Sequence, residues 1–134
     1  MKLAIVDDNK LEQELIFNTL RTYEHERNIS LDISSYSDGN SFLNTFVPGD
    51  FDLIFIDIYL NELNGIDIVR KIRQMDSKVM IVFLTTSKEY IFEAAPFHFF
   101  DYILKPFVST QIFHVLDDAL ALLPEQEAEL SFEY

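Results

Sequence analysis

The sequence predicts a single α/β domain in which parallel strands alternate with helices. Short apolar runs recur along the chain as LAIV at residues 3–6, FDLIFI at 51–56 and VMIVFLTTS at 79–87. Runs of this kind are typical of strands that are covered on both faces. Amphipathic stretches of helical period lie between them. Strands and helices that alternate in this order form a parallel sheet wrapped by right-handed crossovers.

Two further strands and five helices complete the predicted order. LDISSY alternates as a half-buried strand does, and FFDYILKP closes on a Lys-Pro pair. Asn9 is a candidate N-cap for the first helix, with Glu12 three residues on. Short helices are predicted after the turn SDGN and over 89–95. The three longer helices are expected to bury Leu11, Leu15, Leu20 and Tyr23; Ile66, Val69, Ile72 and Met75; and Ile112, Val115, Leu116, Ala119 and Leu123.

Aromatic residues are concentrated between the fourth and fifth predicted strands. Because so short a sheet needs large side chains to fill its core, most of this cluster is expected to be buried. One or two of its members are expected to lie in an exposed dimer patch. The cluster consists of Phe92, Phe97, Phe99 and Phe100.

Composition narrows the function classes. The 134 residues include 10 Lys and Arg against 23 Asp and Glu, a formal charge of −13, which argues against direct binding of nucleic acid. The absence of cysteine excludes disulfides and thiolate metal sites. No apolar run has the length of a signal peptide core or a membrane span, so a cytoplasmic protein is expected. His25, His98 and His114 share no spacing that indicates a metal site.

Polar side chains follow four of the five predicted strands. Asp7 and Asp8 follow the first strand, Asp57 the third, Thr85 ends the fourth, and Lys105 closes the fifth. Each alone is explained as a helix cap or a solvated turn. Together they meet at one edge of the sheet, where ligands of open α/β folds bind. Three converging carboxylates repel one another unless a cation neutralises them.

These segments resemble the receiver domain of two-component response regulators, a CheY-like family. The motifs IVDDN, FDLIFIDIYLNELNGID, IVFLTTS and DYILKPF carry the resemblance over about residues 2 to 122. It implies a flavodoxin-like fold with strand order 2-1-3-4-5, a receiver domain over 1–122, and a tail or start of a linker over 123–134. The stretch SKEYIFEAAPFHFFDYILKP looks most like the subgroup with a LytTR-type DNA-binding output domain, the AgrA type.

The resemblance also implies a chemistry. A sensor histidine kinase would phosphorylate Asp57, with Mg²⁺ held by Asp7, Asp8, Asp57 and the backbone carbonyl of Tyr59. Asp8 is expected to be the direct ligand, and Asp7 to bind directly or through water. Lys105 and Thr85 would contact the phosphoryl oxygens, and the Lys105–Pro106 bond is expected to be cis. The domain would be a phosphoacceptor that dephosphorylates itself and not a turnover enzyme.

The implied switch moves Thr85 and changes the rotamer of Tyr102, which reshapes the surface of the fourth helix, fifth strand and fifth helix. This surface would control homodimerisation or an output domain, through which alone DNA would be contacted. For Tyr102, an ordinary half-buried strand residue is the alternative. A pseudo-receiver that only binds partner proteins remains the main alternative for the whole domain.

The sequence departs from the usual receiver pattern at two positions, and two other protein classes can be compared with it. Asn61 stands where many receivers have proline, and the bulky Tyr59 is expected to screen an acyl phosphate from water. A haloacid-dehalogenase-like phosphatase would need an acid at the position of Tyr59. A flavodoxin-like cofactor binder would need a phosphate loop where this chain has DDNKLE.

Overall fold

Five strands alternate with five helices along the chain, as the hydrophobic pattern predicts. The computed structural model describes residues 1–61 and 63–124. The tail predicted over 123–134 therefore lies outside the described residues from position 125 onward. The elements are β1 (Lys2–Val6), α1 (Lys10–Arg27), β2 (Asp32–Tyr36), α2 (Gly39–Thr45), β3 (Leu53–Ile56), α3 (Gly65–Met75), β4 (Met80–Thr85), α4 (Ile91–Ala94), β5 (Asp101–Leu104) and α5 (Ser109–Leu122).

All five strands belong to one parallel sheet of order β2-β1-β3-β4-β5. The predicted order 2-1-3-4-5 is confirmed. The chain reverses its direction of travel across the sheet between β1 and β3, since β2 lies on one side of β1 and β3 on the other. In open α/β sheets this reversal opens a crevice at the carboxyl ends of the central strands. The fold therefore places any site at the ends of β1 and β3.

The central strands are apolar at nearly every position because both of their faces are covered. In β1, Leu3 and Ile5 pack into one core layer, while Ala4 and Val6 pack into the other. All four side chains are 0% exposed. The first layer contains the buried faces of α1 and α5, and the second contains those of α2, α3 and α4. Alternate side chains of a strand point to opposite faces, so covering both faces requires a continuous apolar run.

The prediction for the buried face of α1 is wrong at two positions. Leu11 and Leu15 are 71% and 54% exposed, whereas Ile16, Leu20 and Tyr23 form the buried stripe. The physical reason is helical geometry. At about 100° per residue, Leu11 lies roughly half a turn away from Leu20. The two leucines therefore form an apolar patch on the outer face of α1.

Met75, expected on a buried helix face, is exposed, and so is Phe92, one member of a cluster expected to be mostly buried. Met75 is the last residue of α3 and is 43% exposed. Phe92 is 90% exposed, because α4 spans four residues and buries only Ala94. The other three phenylalanines of the cluster are partly buried and pack against the core: Phe97, Phe99 and Phe100. Among the described residues, no helix combines the length and apolar character needed to cross a bilayer.

Candidate functional site

Three carboxylates converge at the carboxyl ends of the two central strands. Asp7 directly follows β1 and is 1% exposed, and Asp57 directly follows β3 and is 7% exposed. Asp8 is half-buried beside them. One oxygen from each of the three lies within 4.8 Å of the others. Among residues 1–61 and 63–124, this is the only group of three or more Asp, Glu, His or Cys side chains close enough to share a metal ion.

Lys105, just after β5, supplies the positive charge of the site. Its Nζ lies 2.8 Å from Oδ2 of Asp7 and 3.0 Å from Oδ2 of Asp57. A third carboxylate, that of Glu12, lies 3.8 Å away through Oε1. The lysine side chain is only 7% exposed, so these ion pairs are poorly screened by water. The Lys105–Pro106 peptide bond is cis, as predicted.

The ionisation of this cluster is set by burial and by neighbouring charge. Burial raises the pKa of Asp7, and this outweighs the opposing effects of its bonds to Lys105 and to the Asn9 backbone. Burial alone would lower the pKa of Lys105, but the carboxylates of Asp7 and Asp57 raise it above its ordinary value. Lys105 therefore stays charged, while negative charge on Asp7 remains costly. A set of hard oxygen donors with excess negative charge fits a small divalent cation such as Mg²⁺.

Backbone groups hold the free oxygens of the two buried carboxylates. The backbone N–H of Asn9 donates to Oδ1 of Asp7 over 2.9 Å, and that of Tyr59 donates to Oδ1 of Asp57 over 3.1 Å. The Gln13 side-chain amide donates to the Asp7 carbonyl oxygen. Each carboxylate is thus oriented by its own loop through one oxygen and by Lys105 through the other.

The first turn of α1 is capped as predicted, with a difference in detail. The Asn9 side chain accepts a hydrogen bond from the backbone N–H of Glu12. The reciprocal bond of a capping box is replaced, because the Asn9 backbone N–H donates to Asp7. The Glu12 carboxylate instead lies toward Lys105. The cap thereby connects the start of α1 to the acidic cluster.

Gly65 allows α3 to begin against the end of β3. A Cβ atom at this position would lie 2.1 Å from the backbone oxygen of Asp57. The Gly65 N–H donates to the carbonyl of Ile58 over 2.8 Å, and Asn64 caps the helix by accepting from the N–H of Ile66. Any larger residue would push α3 away from the backbone that carries Asp57. The Asn-Gly pair in the sequence is the signal that could have indicated this close approach.

Thr85, the last residue of β4, has a buried hydroxyl group without a hydrogen-bond partner among the described residues. Its side chain is fully buried, and its Oγ1 has no hydrogen-bond partner in the described part of the chain. A buried hydroxyl without a partner is destabilising, by about 1 to 3 kcal/mol. Its own carbonyl accepts from the backbone N–H of Lys105 over 2.8 Å. The Thr85 hydroxyl therefore keeps its hydrogen-bonding capacity unused among the described residues.

Tyr102 connects β5 to the loop after β4. Its hydroxyl donates to the backbone carbonyl of Ser87 over 2.6 Å, and its ring lies 5.8 Å from Phe83 and 5.7 Å from Phe99. Burial raises the pKa of this phenol, so it remains a hydrogen-bond donor at neutral pH. This contact couples the loop that follows Thr85 to the outer strand of the sheet.

Tyr59 lies at the rim of the site. Its side chain is 44% exposed and meets Tyr90 edge to face, with 5.6 Å between the ring centroids. The predicted use of its backbone carbonyl as a metal ligand stays a prediction. The three histidines lie apart from the cluster, and His114 pairs with Asp118 on the surface of α5. Sequence reasoning did not identify Glu12, Gln13 or Gly65 as neighbours of the site.

Comparisons with known proteins agree with this geometry. A family model described as the response regulator receiver domain matches residues 3–117. The chain is 34% identical to the protein MrkE of Klebsiella pneumoniae, over 87% of this chain and 42% of that protein. It is 31% identical to the transcriptional regulatory protein YpdB of Escherichia coli K12, over 95% of this chain and 50% of that protein. The chain thus spans about half the length of these relatives.

Solved structures confirm the flavodoxin-like receiver fold. The crystal structure of the response regulatory domain of MrkE matches with a TM-score of 0.77 and 33% identity, over 90% of this chain and 96% of that one. A receiver domain of a Pseudomonas aeruginosa sensor histidine kinase, solved with a magnesium ion coordinated in its active site cleft, matches with a TM-score of 0.76. At 22% identity over 90% of this chain and 97% of that one, it supports the fold alone. By its family match and its relatives, the chain belongs to the response regulator receiver domains.

Proposed function

We propose that this domain accepts a phosphoryl group on Asp57 in a Mg²⁺-dependent reaction, with a phosphohistidine of a sensor histidine kinase as the donor. One observation carries the proposal. The Asp57 carboxylate lies between a buried ammonium and two further acids, and it is oriented by the backbone N–H of Tyr59. A desolvated carboxylate that is fixed in place, paired with an ammonium and grouped with further metal-ligand oxygens is suited to phosphoryl transfer.

In the proposed reaction an Asp57 oxygen attacks the phosphorus of the phosphohistidine. The new phosphorus–oxygen bond forms as the phosphorus–nitrogen bond breaks, and the imidazole leaves with the electron pair and takes a proton from solvent. Attack of water on the acyl phosphate later releases inorganic phosphate and restores the carboxylate. Charge neutralisation and in-line positioning, more than covalent help, lower the barrier of both steps.

Asp7, Asp8, Asp57 and the Tyr59 carbonyl are the proposed Mg²⁺ ligands, and the bound ion would neutralise charge on the carboxylates and on the transferred group. Lys105 would pair with one phosphoryl oxygen as a compact charge. The Thr85 hydroxyl, which lacks a partner among the residues that the structure describes, would donate to another. The residues therefore divide between metal binding and stabilisation of the phosphoryl group.

The proposed switch rests on the hydrogen bond between Tyr102 and the loop that follows Thr85. Movement of Thr85 toward the phosphoryl group would displace this loop, whose Ser87 carbonyl holds the Tyr102 hydroxyl. A change in Tyr102 would then reshape the surface formed by α4, β5 and α5, where Phe92 and Leu104 are exposed. A phosphoryl group of nearly two negative charges can bias such a two-state element.

The proposed partners follow from the family and from the exposed apolar patch on α1. Leu11 and Leu15 lie on the outer face of the helix that begins beside the acidic cluster. This position fits a kinase surface that brings its phosphohistidine to Asp57. We further propose a cytoplasmic location, a homodimer through the α4-β5-α5 surface, and an output domain of the LytTR type through which transcription is regulated.

The decisive experiment is phosphorylation of the domain by a small acyl-phosphate donor in the presence of Mg²⁺. We expect an acid-stable, base-labile adduct that Asp57→Ala abolishes and that chelation of Mg²⁺ suppresses. Asp67→Ala is the matched control, since Asp67 is an exposed acid on α3. Persistence of the adduct in Asp57→Ala would refute the assignment. Absence of any adduct, together with no beryllofluoride-induced spectral shift, would favour the pseudo-receiver.

Docking of the kinase is tested by comparing two donors. The double variant Leu11→Ser, Leu15→Ser is expected to slow transfer from the phosphorylated kinase by about tenfold, because the apolar contact is lost. Labelling by the small donor, which needs no docking surface, is expected to stay unchanged. Equal loss with both donors would indicate damage to the site itself and would contradict the proposed role of the patch.

A further inference from the structure

Lys105 faces one carboxylate that is not needed for the proposed metal site. Its Nζ contacts Asp7 and Asp57 at 2.8 Å and 3.0 Å, and both acids belong to the cluster that a divalent cation would occupy. The remaining partner, the Glu12 carboxylate at 3.8 Å, lies outside that cluster. The ammonium therefore has one neighbour that a metal ion would leave free.

A divalent cation and the lysine ammonium would compete for the same two carboxylates. The Oδ2 atoms of Asp7 and Asp57 are each bonded to Lys105. A doubly charged ion on these carboxylates would repel an adjacent ammonium, most strongly where water is excluded. Binding of the ion therefore requires the ammonium to shift toward other negative charge. Among the groups that contact it, Glu12 is the one that can receive it without losing the metal.

We propose that Glu12 is a positioning residue that holds the Lys105 ammonium when a divalent cation takes Asp7 and Asp57. This inference rests on the proposed phosphoacceptor function and deepens it. In this role Glu12 lowers the free-energy cost of metal binding and keeps Lys105 beside the site for the incoming phosphoryl group. Loss of its charge would weaken metal binding only while Lys105 is present.

The position of Glu12 suits this role. It lies in the first turn of α1, where its backbone N–H donates to the Asn9 cap, so its Cα is fixed relative to Asp7. Its side chain is 31% exposed, which leaves it free to adjust its rotamer. Within the described residues, Lys105 is the only basic group within ion-pair distance of its carboxylate. Glu14, two residues on in the same helix, is exposed and provides the matched control.

The test is a double-mutant cycle on the Mg²⁺ dissociation constant, measured by titration of backbone amide NMR shifts. The proteins are the unmodified chain, Glu12→Gln, Glu14→Gln, Lys105→Met, and the two glutamate variants combined with Lys105→Met. We expect Glu12→Gln to weaken Mg²⁺ binding about twofold to fivefold, the range of a partly exposed ion pair. Glu14→Gln removes the same charge and is expected to have a smaller effect. In the Lys105→Met background the two glutamate variants are expected to be equal.

Two outcomes would overturn the proposal. In one, Glu12→Gln equals Glu14→Gln while Lys105 is present. In the other, the full effect of Glu12→Gln persists without Lys105, which would show that Glu12 acts on the metal directly. Because Lys105→Met could unfold the chain, the Lys105 side-chain Cε–Nζ NMR correlation is a second readout. Mg²⁺ should shift it differently in Glu12→Gln than in the unmodified protein, and an identical shift would contradict the proposal. Absence of saturable Mg²⁺ binding to the unmodified chain would instead refute the proposed function.

Discussion

At the scale of single residues, the ammonium group of Lys105 accounts for how buried Asp7 and Asp57 can lie side by side. Two carboxylates that share a poorly solvated space repel each other strongly unless a cation lies between them. Lys105 contacts one oxygen of each, and backbone N–H groups hold the others. The two carboxylates are therefore held in place by Lys105 and by backbone groups of the chain itself.

The proposed role of Tyr59, shielding an acyl phosphate from water, can be tested directly. The residue is 44% exposed, and its ring packs edge to face on Tyr90. If this pair limits the access of water to the acyl phosphate, Tyr59→Ala should raise the rate of dephosphorylation about threefold to tenfold, or about 1 kcal/mol of barrier. The measurement is the decay of phosphorylated protein after removal of the donor.

Tyr59→Phe is the matched control for this prediction, because it keeps the ring and removes only the hydroxyl. Its phosphoryl half-life should stay close to that of the unmodified domain. An unchanged rate in Tyr59→Ala would rule out the shielding role.

At the scale of elements, the ends of strands and helices decide which groups meet. β1 and β3 deliver the two buried acids, β4 delivers Thr85, and β5 delivers Lys105. The start of α3 lies against the Asp57 backbone because Gly65 has no side chain. At the opposite end of the sheet, Asp76 follows α3 and organises the turns there. Its carboxylate accepts backbone N–H bonds from Gly49, Lys78 and Val79.

Asp76 leads to a pH-dependent prediction. Burial alone would raise its pKa, but the backbone N–H bonds and the charge of Arg73 outweigh it and hold the pKa below the ordinary 3.8. Because the folded value is depressed, the stabilisation is complete well above pH 3.8 and is lost as the pH falls through the folded value. Asp76→Asn should therefore lower the free energy of unfolding by about 1 to 2 kcal/mol at pH 7.

Urea unfolding at several pH values measures this effect. The difference between Asp76→Asn and the unmodified protein should shrink steadily below about pH 4. Asp67→Asn is the control, since Asp67 pairs with Arg70 on the exposed face of α3 and such pairs contribute little. A stability difference for Asp76→Asn that does not depend on pH would contradict this explanation.

At the scale of the whole molecule, the chain is strongly acidic and has an apolar core with one layer on each face of the sheet. The core layers on the two faces of the sheet account for the continuous apolar sequences of the central strands. The formal charge of −13 destabilises the compact state through repulsion among surface carboxylates. The acidic cluster at the site adds to this repulsion locally. Stability should consequently depend on ionic strength.

Salt is expected to stabilise the fold at neutral pH. Raising NaCl from about 10 mM to about 150 mM shortens the Debye length from about 30 Å to about 8 Å and screens the repulsion. The midpoint of thermal unfolding should rise by a few degrees, as differential scanning calorimetry can measure. Near pH 4.5, where carboxylates are partly protonated, the same change of salt should have less effect. A midpoint that falls or stays constant at pH 7 would contradict the prediction.

Several features of this protein could be predicted from residue order alone. Alternating apolar runs and amphipathic stretches predicted the number of strands and their order along the chain, because burial on both faces demands continuous apolar sequence. The positions of Asp7, Asp8, Asp57, Thr85 and Lys105 at the strand ends could also be predicted, because the carboxyl ends of parallel strands share one edge. The motifs around these residues also indicated the family to which the chain belongs.

Other features were decided by the tertiary structure. Glu12 and Lys105 are distant in sequence, and only the packing of α1 beside the end of β5 brings their charges within 3.8 Å. The exposure of Leu11 and Phe92 likewise depends on which neighbours cover a helix and on where the helix stops. Local sequence sets the period of each element, whereas burial is a property of the surfaces that the fold places against it.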